Sequence, residues 1–199
     1  VERWIRETAT VSIMVMASTN TRALTGVDRQ RQTIFNRART GLREVAMQRA
    51  AKGEQRWSLT IFPTSAYAQD ADMSTDEFAQ FLASAMFLDQ EDPVAAWREL
   101  STRQQELVDW LSERSELHIT GPGTDLRMNV GGRKWVNSDG KRNFPSGEVF
   151  TGPVEDSAQG HVHFSYPVVT DGREIADIRL RFESGKVVDA TASKNEDYL

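Results

Sequence analysis

The chain has 199 residues, of which 39% are hydrophobic and 27% charged, and its formal net charge is −5. This length allows one domain of ordinary size or two small ones. The composition is too apolar for a disordered chain and too charged for a membrane protein, and no apolar run reaches the roughly 18 residues of a membrane helix. There is no cysteine, so a metal site would need oxygen or imidazole ligands, and a reducing cytoplasm is compatible with this composition.

The first part of the chain predicts a βαβ unit. Residues 11–17 (VSIMVMA) form a continuous apolar run, which is typical of a strand buried on both faces of a parallel sheet. Helical spacing of apolar residues predicts a helix over 27–51, and residues 57–62 (WSLTIF) predict a second strand. The buried face of this helix is expected to consist of Ile34, Ala38, Leu42 and Val45.

Two further helices are predicted before residue 115. Ser74-Thr75-Asp76-Glu77 has the form of a capping box, which opens a helix. Asp92-Pro93 combines a capping side chain with a proline that suits the first helical turn, so a helix is expected from there to about residue 114. The buried face of that last helix is predicted to carry Trp97, Leu100, Leu107, Trp110 and Leu111.

After residue 115 the hydrophobic period changes from helical to alternating, which predicts half-buried strands. The alternating sets are Leu126, Met128 and Val130; Val162, Phe164 and Tyr166; and Ile178, Leu180 and Phe182. Dipeptides that end in glycine, such as Asp171-Gly172 and Ser184-Gly185, fit hairpin turns. The predicted fold is therefore α+β, with a partial α/β domain over 1–115 and a mostly antiparallel β-rich domain over 116–199.

Both termini resemble points at which a longer chain has been cut. The first predicted strand starts almost at once, and Ser193-Lys194-Asn195-Glu196 has capping-box form three residues before the end. A frayed polar tail is the alternative explanation for the second signal. The cut termini predict that the chain is a fragment.

Several functions are disfavoured by their missing motifs. The arginines between Arg22 and Arg56 recur at helical spacing without interleaved aromatic residues, so a solvated helix face is favoured over nucleic-acid binding. Gly121-Pro122-Gly123 lacks a following helix, and Gly131-Gly132 lacks the remainder of a phosphate-binding loop. No G-x-S-x-G elbow of a serine hydrolase occurs.

Two places in the β-rich part could hold a metal ion. His161 and His163 are two apart on a predicted strand and so share one face, where they could bind a metal or simply form a polar row. Around Glu148, Pro145 stiffens the approach and Gly147 allows a tight turn, so one carboxylate would be presented at a strand start. That arrangement suits a hard-metal ligand, and a surface glutamate beside a β-turn is the alternative.

Residues 143–157 (NFPSGEVFTGPVEDS) closely resemble a signature of the thermophilic metallo-aminopeptidases, the family typified by aminopeptidase T and aminopeptidase S. Shorter similarities follow the same order, at Trp57-Ser58-Leu59-Thr60, Thr124-Asp125-Leu126 and Arg179-Leu180-Arg181-Phe182. The likeness therefore covers most of the chain.

This resemblance implies a hydrolase that uses two divalent metal ions of the zinc or cobalt class to remove N-terminal residues from peptide substrates. It implies that Glu148 is a metal ligand and that the complete enzyme is a homodimer. The family's other ligands are not found in this sequence, and the His161 and His163 pair does not match them. We therefore expect the chain itself to be inactive and to bind no metal tightly. The alternative is a non-catalytic dimerisation or peptide-binding module with open sheet edges.

Overall fold

The computed structural model describes residues 1–170 and 172–199; Asp171 of the predicted Asp171-Gly172 turn lies outside them. The helices are α1 (Glu2–Thr8), α2 (Arg29–Ala38), α3 (Thr40–Ala51), α4 (Ser65–Asp70), α5 (Thr75–Ala85) and α6 (Pro93–Ser112). The strands are β1 (Val11–Met16), β2 (Arg56–Ile61), β3 (Glu116–Gly121), β4 (Thr124–Asn129), β5 (Val136–Ser138), β6 (Asn143–Phe144), β7 (Glu148–Phe150), β8 (Gln159–Phe164), β9 (Val168–Thr170), β10 (Arg173–Ile175), β11 (Ile178–Glu183) and β12 (Lys186–Thr191). The predicted α+β class is confirmed.

Contacts between residues divide the chain into two compact units. The first unit comprises Val1–Pro93 together with Gly140–Ser146, and the second comprises Val94–Asp139 together with Gly147–Leu199. Helix α6 thus lies in the second unit from Val94 onwards. The domains at 1–115 and 116–199 stay a prediction.

The first unit contains a parallel sheet in the order β1-β2-β6. Strands β1 and β2 pair in parallel from Val11↔Arg56 to Met16↔Ile61, with α2 and α3 between them in sequence, as the predicted βαβ unit requires. Strand β1 is an edge strand of this sheet, and its Ile13 side chain is 71% exposed. The expectation that residues 11–17 are buried on both faces is wrong, because alternate residues of β1 point to opposite faces of the sheet, and both Ile13 and Met14 are exposed.

The helix predicted over 27–51 is two helices. Asp28 caps α2 by accepting hydrogen bonds from the amides of Gln30 and Arg31, and Arg39 separates the end of α2 from the start of α3. Ile34 is 67% exposed and Gln32 is the buried residue of α2, whereas Leu42 in α3 is half-buried. The predicted apolar face fails in α2 because one helical phase does not continue across the break.

The core of the first unit lies around α4 and α5. Ala68, Phe78 and Leu82 form a buried cluster against which Ile61 and Tyr67 pack. The predicted capping box is present: the Glu77 amide donates to the Ser74 hydroxyl over 3.2 Å, and the Ser74 amide donates to the Glu77 carboxylate over 2.8 Å.

Helix α6 buries a different set of residues from the one predicted. Gln104 and Val108 are buried, while Leu107 and Trp110 are 46% and 55% exposed. The buried face follows a regular helical spacing through Trp97, Leu100, Gln104, Val108 and Leu111. The prediction for Leu107 and Trp110 is wrong because the buried face runs through Gln104, a polar residue, and leaves these two side chains outside it.

The second unit contains an antiparallel sheet in the order β12-β11-β8-β4-β3. The alternating residues predicted for β4 and β11 are buried or half-buried, with Leu126 at 9% exposure. Of the set predicted for β8, Val162 is half-buried, but the prediction is wrong for Phe164, which is 49% exposed at the end of the strand, and for Tyr166, which lies beyond the strand and is 86% exposed. Strands β11 and β12 are joined at Ser184 and Gly185, which both have positive φ, in agreement with the predicted hairpin turn.

The capping box predicted at 193–196 does not form. The Ser193 amide, which a capping box would direct to Glu196, donates to the Ala176 carbonyl, as does the Ser193 hydroxyl, and the Glu196 carboxylate accepts from the Ala192 amide instead. A short 3-10 helix, Glu196–Tyr198, follows Asn195. Within the described residues, no helix is both long and apolar enough to cross a membrane.

Candidate metal-ligand site

The segment 143–157 contains two short strands. Strand β6 pairs in parallel with β2 of the first unit, where Leu59 is opposite Asn143 and Thr60 is opposite Phe144. After a cis peptide bond between Phe144 and Pro145, the chain enters the second unit at Gly147. Strand β7 then pairs antiparallel with β5, with Ser138 opposite Glu148.

Gly147 forms the turn that leads into β7. Its φ is 111°, a conformation that favours glycine, and its amide donates to the Ser138 carbonyl over 3.0 Å. A Cβ added at this position would lie 3.5 Å from the Leu100 side chain, which is an ordinary contact. The backbone angle, rather than a lack of space, therefore requires glycine beside Glu148.

Glu148 is held by its main chain while its side chain is exposed. The Glu148 carbonyl oxygen accepts a hydrogen bond from the Gln104 side-chain nitrogen over 2.6 Å. The Glu148 carboxylate makes no hydrogen bond or ion pair with any residue that the structure describes. An exposed carboxylate without a partner offers negative charge and oxygen, the chemistry of a ligand for a divalent cation.

The contacts between α6 and the β5–β7 pair form a cluster that we call the α6 junction, comprising Ser101, Gln104, Asn137, Ser138, Asp139 and Glu148. Asn137 donates from its amide to the Ser101 carbonyl over 2.9 Å, and the Ser101 hydroxyl donates to Asp139 over 2.7 Å. Gln104 is 7% exposed, and its amide also lies 3.4 Å from the Ser138 carbonyl. The junction thus binds both strands of the pair to one helix.

Sequence reasoning missed Gln104. Gln104 lies four residues after Leu100 and four before Val108, so the three residues share one helical face. The sequence signal for its role is a polar residue on a face that is otherwise apolar. A glutamine buried on an apolar face needs hydrogen-bond partners, and these are the carbonyls of β5 and β7.

The remainder of the segment is bound to the loop that follows β4. Arg133 donates to the Pro153 carbonyl over 2.5 Å and pairs with the Glu155 carboxylate over 2.6 Å. The hydrogen bond from Arg133 holds the pKa of Glu155 below its ordinary value. The Thr151 hydroxyl donates to the Lys134 carbonyl over 2.9 Å. Glu155, unlike Glu148, is thus engaged in a structural ion pair.

The two candidate histidines lie on β8. His163 is hydrogen-bonded through its Nε2 to the Asp177 carboxylate over 2.5 Å, and its side chain is 16% exposed. This hydrogen bond, assisted by the charge of Arg179, lowers the pKa of Asp177. His161 is exposed opposite Asp125 and Arg181 of the neighbouring strands. The surroundings of the pair are those of a polar row with one partnered histidine.

The described residues do not form a complete metal site. Within 1–170 and 172–199, no group of three or more His, Cys, Asp or Glu side chains is arranged to hold a metal ion. Glu148 fits the chemistry of one ligand, and the other ligands of such a site would have to come from elsewhere.

Comparison with known proteins defines the class. The profile of the family described as thermophilic metalloprotease (M29) matches residues 1–199, so the chain belongs to the M29 family of metalloproteases. The family that the 143–157 segment resembles is thereby confirmed.

Named relatives are aminopeptidases. The chain is 34% identical to aminopeptidase 2 of Geobacillus stearothermophilus over 72% of this chain and 39% of the relative. It is 30% identical to aminopeptidase T of Thermus thermophilus, over 94% of this chain and 50% of the relative. The solved structure of wild-type AmpT from Thermus thermophilus matches with a TM-score of 0.77 and 27% identity, covering 99% of this chain and 52% of that one. The chain thus spans about half the length of these relatives.

Proposed function

We propose that these 199 residues are part of a two-metal aminopeptidase that removes N-terminal residues from peptides, and that Glu148 is one of its metal ligands. The observation that carries this proposal is the Glu148 carboxylate, which is exposed and has no partner among the described residues, while its main chain is held by α6. Membership of a metalloprotease family supports the assignment of this carboxylate to a metal.

The metal ions of the complete enzyme are proposed to be of the zinc or cobalt class. When bound, such ions activate a water molecule and polarise the carbonyl of the scissile peptide bond. This chain supplies one charged oxygen ligand, the Glu148 carboxylate. It lies at the start of β7, which is positioned by the turn at Gly147 and by the hydrogen bond from Gln104.

We propose further that the chain is inactive by itself. This inactivity is supported by the lengths of the matched aminopeptidases, which are about twice as long as this chain. A cytoplasmic location completes the proposal and rests on a sequence without cysteine.

The first test uses the purified chain. Calorimetric titration with Zn²⁺ and Co²⁺, together with hydrolysis of leucine p-nitroanilide, is expected to show neither stoichiometric binding nor turnover. Metal-dependent turnover that is lost in Glu148→Gln would contradict the proposed inactivity and keep the metal-ligand assignment.

The second test uses a hybrid protein, in which this chain replaces the matched half of Thermus thermophilus AmpT. The hybrid is expected to hydrolyse leucine p-nitroanilide and to lose this activity with a chelator. A folded hybrid that binds no metal and is inactive would contradict the proposal that this chain supplies the corresponding half of an aminopeptidase.

A homodimer is proposed through the edge of the first unit. Strand β1 exposes apolar side chains at a sheet edge, including Ile13 at 71% and Val15 at 55%, and such an edge can pair with another strand. Sedimentation is expected to show a dimer that Ile13→Lys dissociates, whereas Met47→Lys, at a residue equally exposed on α3, does not. A monomeric parent chain would contradict this proposal.

The same edge favours a second candidate function, a non-catalytic dimerisation or peptide-binding module. A chain that dimerises through β1 and a folded hybrid without metal-dependent hydrolysis would together favour the module. An active hybrid favours the aminopeptidase.

A further inference from the structure

We propose that Gln104 is a positioning residue for Glu148: its buried amide fixes the start of β7 and so the place from which the Glu148 carboxylate projects. The value of this position for metal binding rests on the proposed function. The hydrogen bond itself is a property of the second unit and can be tested without any metal.

The β5–β7 pair is a small sheet with little stability of its own. It is a two-stranded sheet with three residues in each strand, and an isolated two-stranded sheet is marginally stable in water. The ladder between β5 and β7 is therefore a weak support for a side chain that must hold one place.

Helix α6 supplies the missing support. Gln104 donates to the Glu148 carbonyl over 2.6 Å and approaches the Ser138 carbonyl at 3.4 Å, so one amide contacts the two residues that face each other in the strand pair. Gln104 is anchored on the buried face of a 20-residue helix. A rigid element thus holds the main chain of the proposed ligand.

The chemistry of the side chain favours positioning over simple packing. The Gln104 Oε1 atom is buried without a hydrogen-bond partner among the described residues, which costs free energy that an apolar side chain would avoid. An amide is therefore a poor side chain for core packing alone. What the Gln104 amide adds is the hydrogen bond that its nitrogen donates to the Glu148 carbonyl. Residues that orient metal ligands contribute in this way to metal affinity.

The test exploits the lack of cysteine, which makes Glu148→Cys a unique site for a nitroxide spin label. The label mobility is measured by electron paramagnetic resonance in chains with Gln104, Gln104→Met or Gln80→Met. Methionine preserves the size of the side chain without the donor, and Gln80 is an exposed glutamine of α5 in the first unit. We expect a shift to faster label motion with Gln104→Met alone.

Two additions separate positioning from general loosening. A label at Asp189→Cys on β12 is expected to be unaffected by Gln104→Met. If Gln104→Met does not fold, Gln104→Asn retains a buried amide but is one methylene too short to reach the Glu148 carbonyl, and it is expected to mobilise the Glu148 label. Unchanged motion at residue 148 in a folded variant of either kind would overturn the proposal.

The metal readout uses the hybrid defined above. Gln104→Met is expected to weaken Co²⁺ binding by about 10- to 100-fold, and Gln80→Met to leave it unchanged. Equal Co²⁺ affinity with and without Gln104 would overturn the role in metal binding. Equal affinity in Glu148→Gln would instead overturn the proposed function, and the label experiment would still decide whether Gln104 holds β7.

Discussion

The side-chain nitrogen of Gln104 lies 2.6 Å from the main-chain oxygen of Glu148. One of these residues is buried on α6 at 7% exposure, and the other exposes a carboxylate with no partner among the described residues. The helix therefore fixes the backbone while the carboxylate is left available. This separation of a held main chain from a free side chain is the basis of the metal-ligand proposal.

The turn before Glu148 should be sensitive to a single methyl group. Gly147 has φ at 111°, so Gly147→Ala forces alanine into a strained backbone conformation and is expected to lower the free energy of unfolding by about 1–3 kcal/mol. Urea denaturation measures the loss. Gly152→Ala in the same segment has open space for its methyl group and should change stability by no more than about 0.5 kcal/mol. Equal effects of the two substitutions would contradict the assigned strain.

Gly160 should tolerate a side chain even less well. A Cβ there would lie 2.0 Å from the Asp125 carbonyl oxygen, and φ is 116°. Because β4 backbone must move as well, Gly160→Ala is expected to cost about 2–5 kcal/mol. Gly147→Ala, at the similar φ of 111° and with only an ordinary contact for its methyl group, isolates the backbone contribution at about 1–3 kcal/mol. Thermal denaturation followed by circular dichroism compares the two, and an equal loss would contradict close packing of β4 on β8.

The Asp177 carboxylate should make stability depend on acidity. The hydrogen bond from His163 lowers the pKa of Asp177 from 3.8, so its stabilising contribution is complete above 3.8 and is lost as pH falls through the lowered value. Asp177→Asn is expected to reduce the free energy of unfolding at pH 7 and to reduce its fall towards pH 3. Urea midpoints at the two pH values provide the measurement.

Asp189→Asn provides the control for this pH dependence. Asp189 is exposed on β12 and makes no hydrogen bond or ion pair with the described residues, so its substitution should preserve the acid sensitivity of the parent chain. Asparagine also suits the positive φ of residue 177, which limits backbone effects. An acid sensitivity of Asp177→Asn identical to that of the parent would exclude the His163 contact as its source.

Local signals predicted much of the fold because their causes are local. The Ser74 capping box needs only residues 74–77, and the alternation in β4 and β11 follows from one buried face. The break at Arg39 and the exposed β1 edge could not be predicted in this way. Which strands pair with β1, and the direction in which α3 continues after α2, depend on contacts with residues distant in sequence.

The candidate site shows the same division. Glu148 was found because Pro145, Gly147 and the family resemblance lie beside it in the sequence. Gln104 was not found, because its partner is 44 residues away and a glutamine on an apolar stripe has no local signature of that partner. A buried polar residue becomes informative only when the carbonyls that satisfy it are known.

The most direct test of the central claim is the metal content of the hybrid with Glu148→Gln, measured by Co²⁺ titration beside Glu155→Gln. Glu155 belongs to the same segment and is paired with Arg133, so its substitution should preserve metal binding and leucine p-nitroanilide hydrolysis. Loss of bound Co²⁺ and of hydrolysis in Glu148→Gln alone is the predicted result. A Glu148→Gln hybrid that binds as much Co²⁺ as the parent and hydrolyses the substrate equally well would contradict the account.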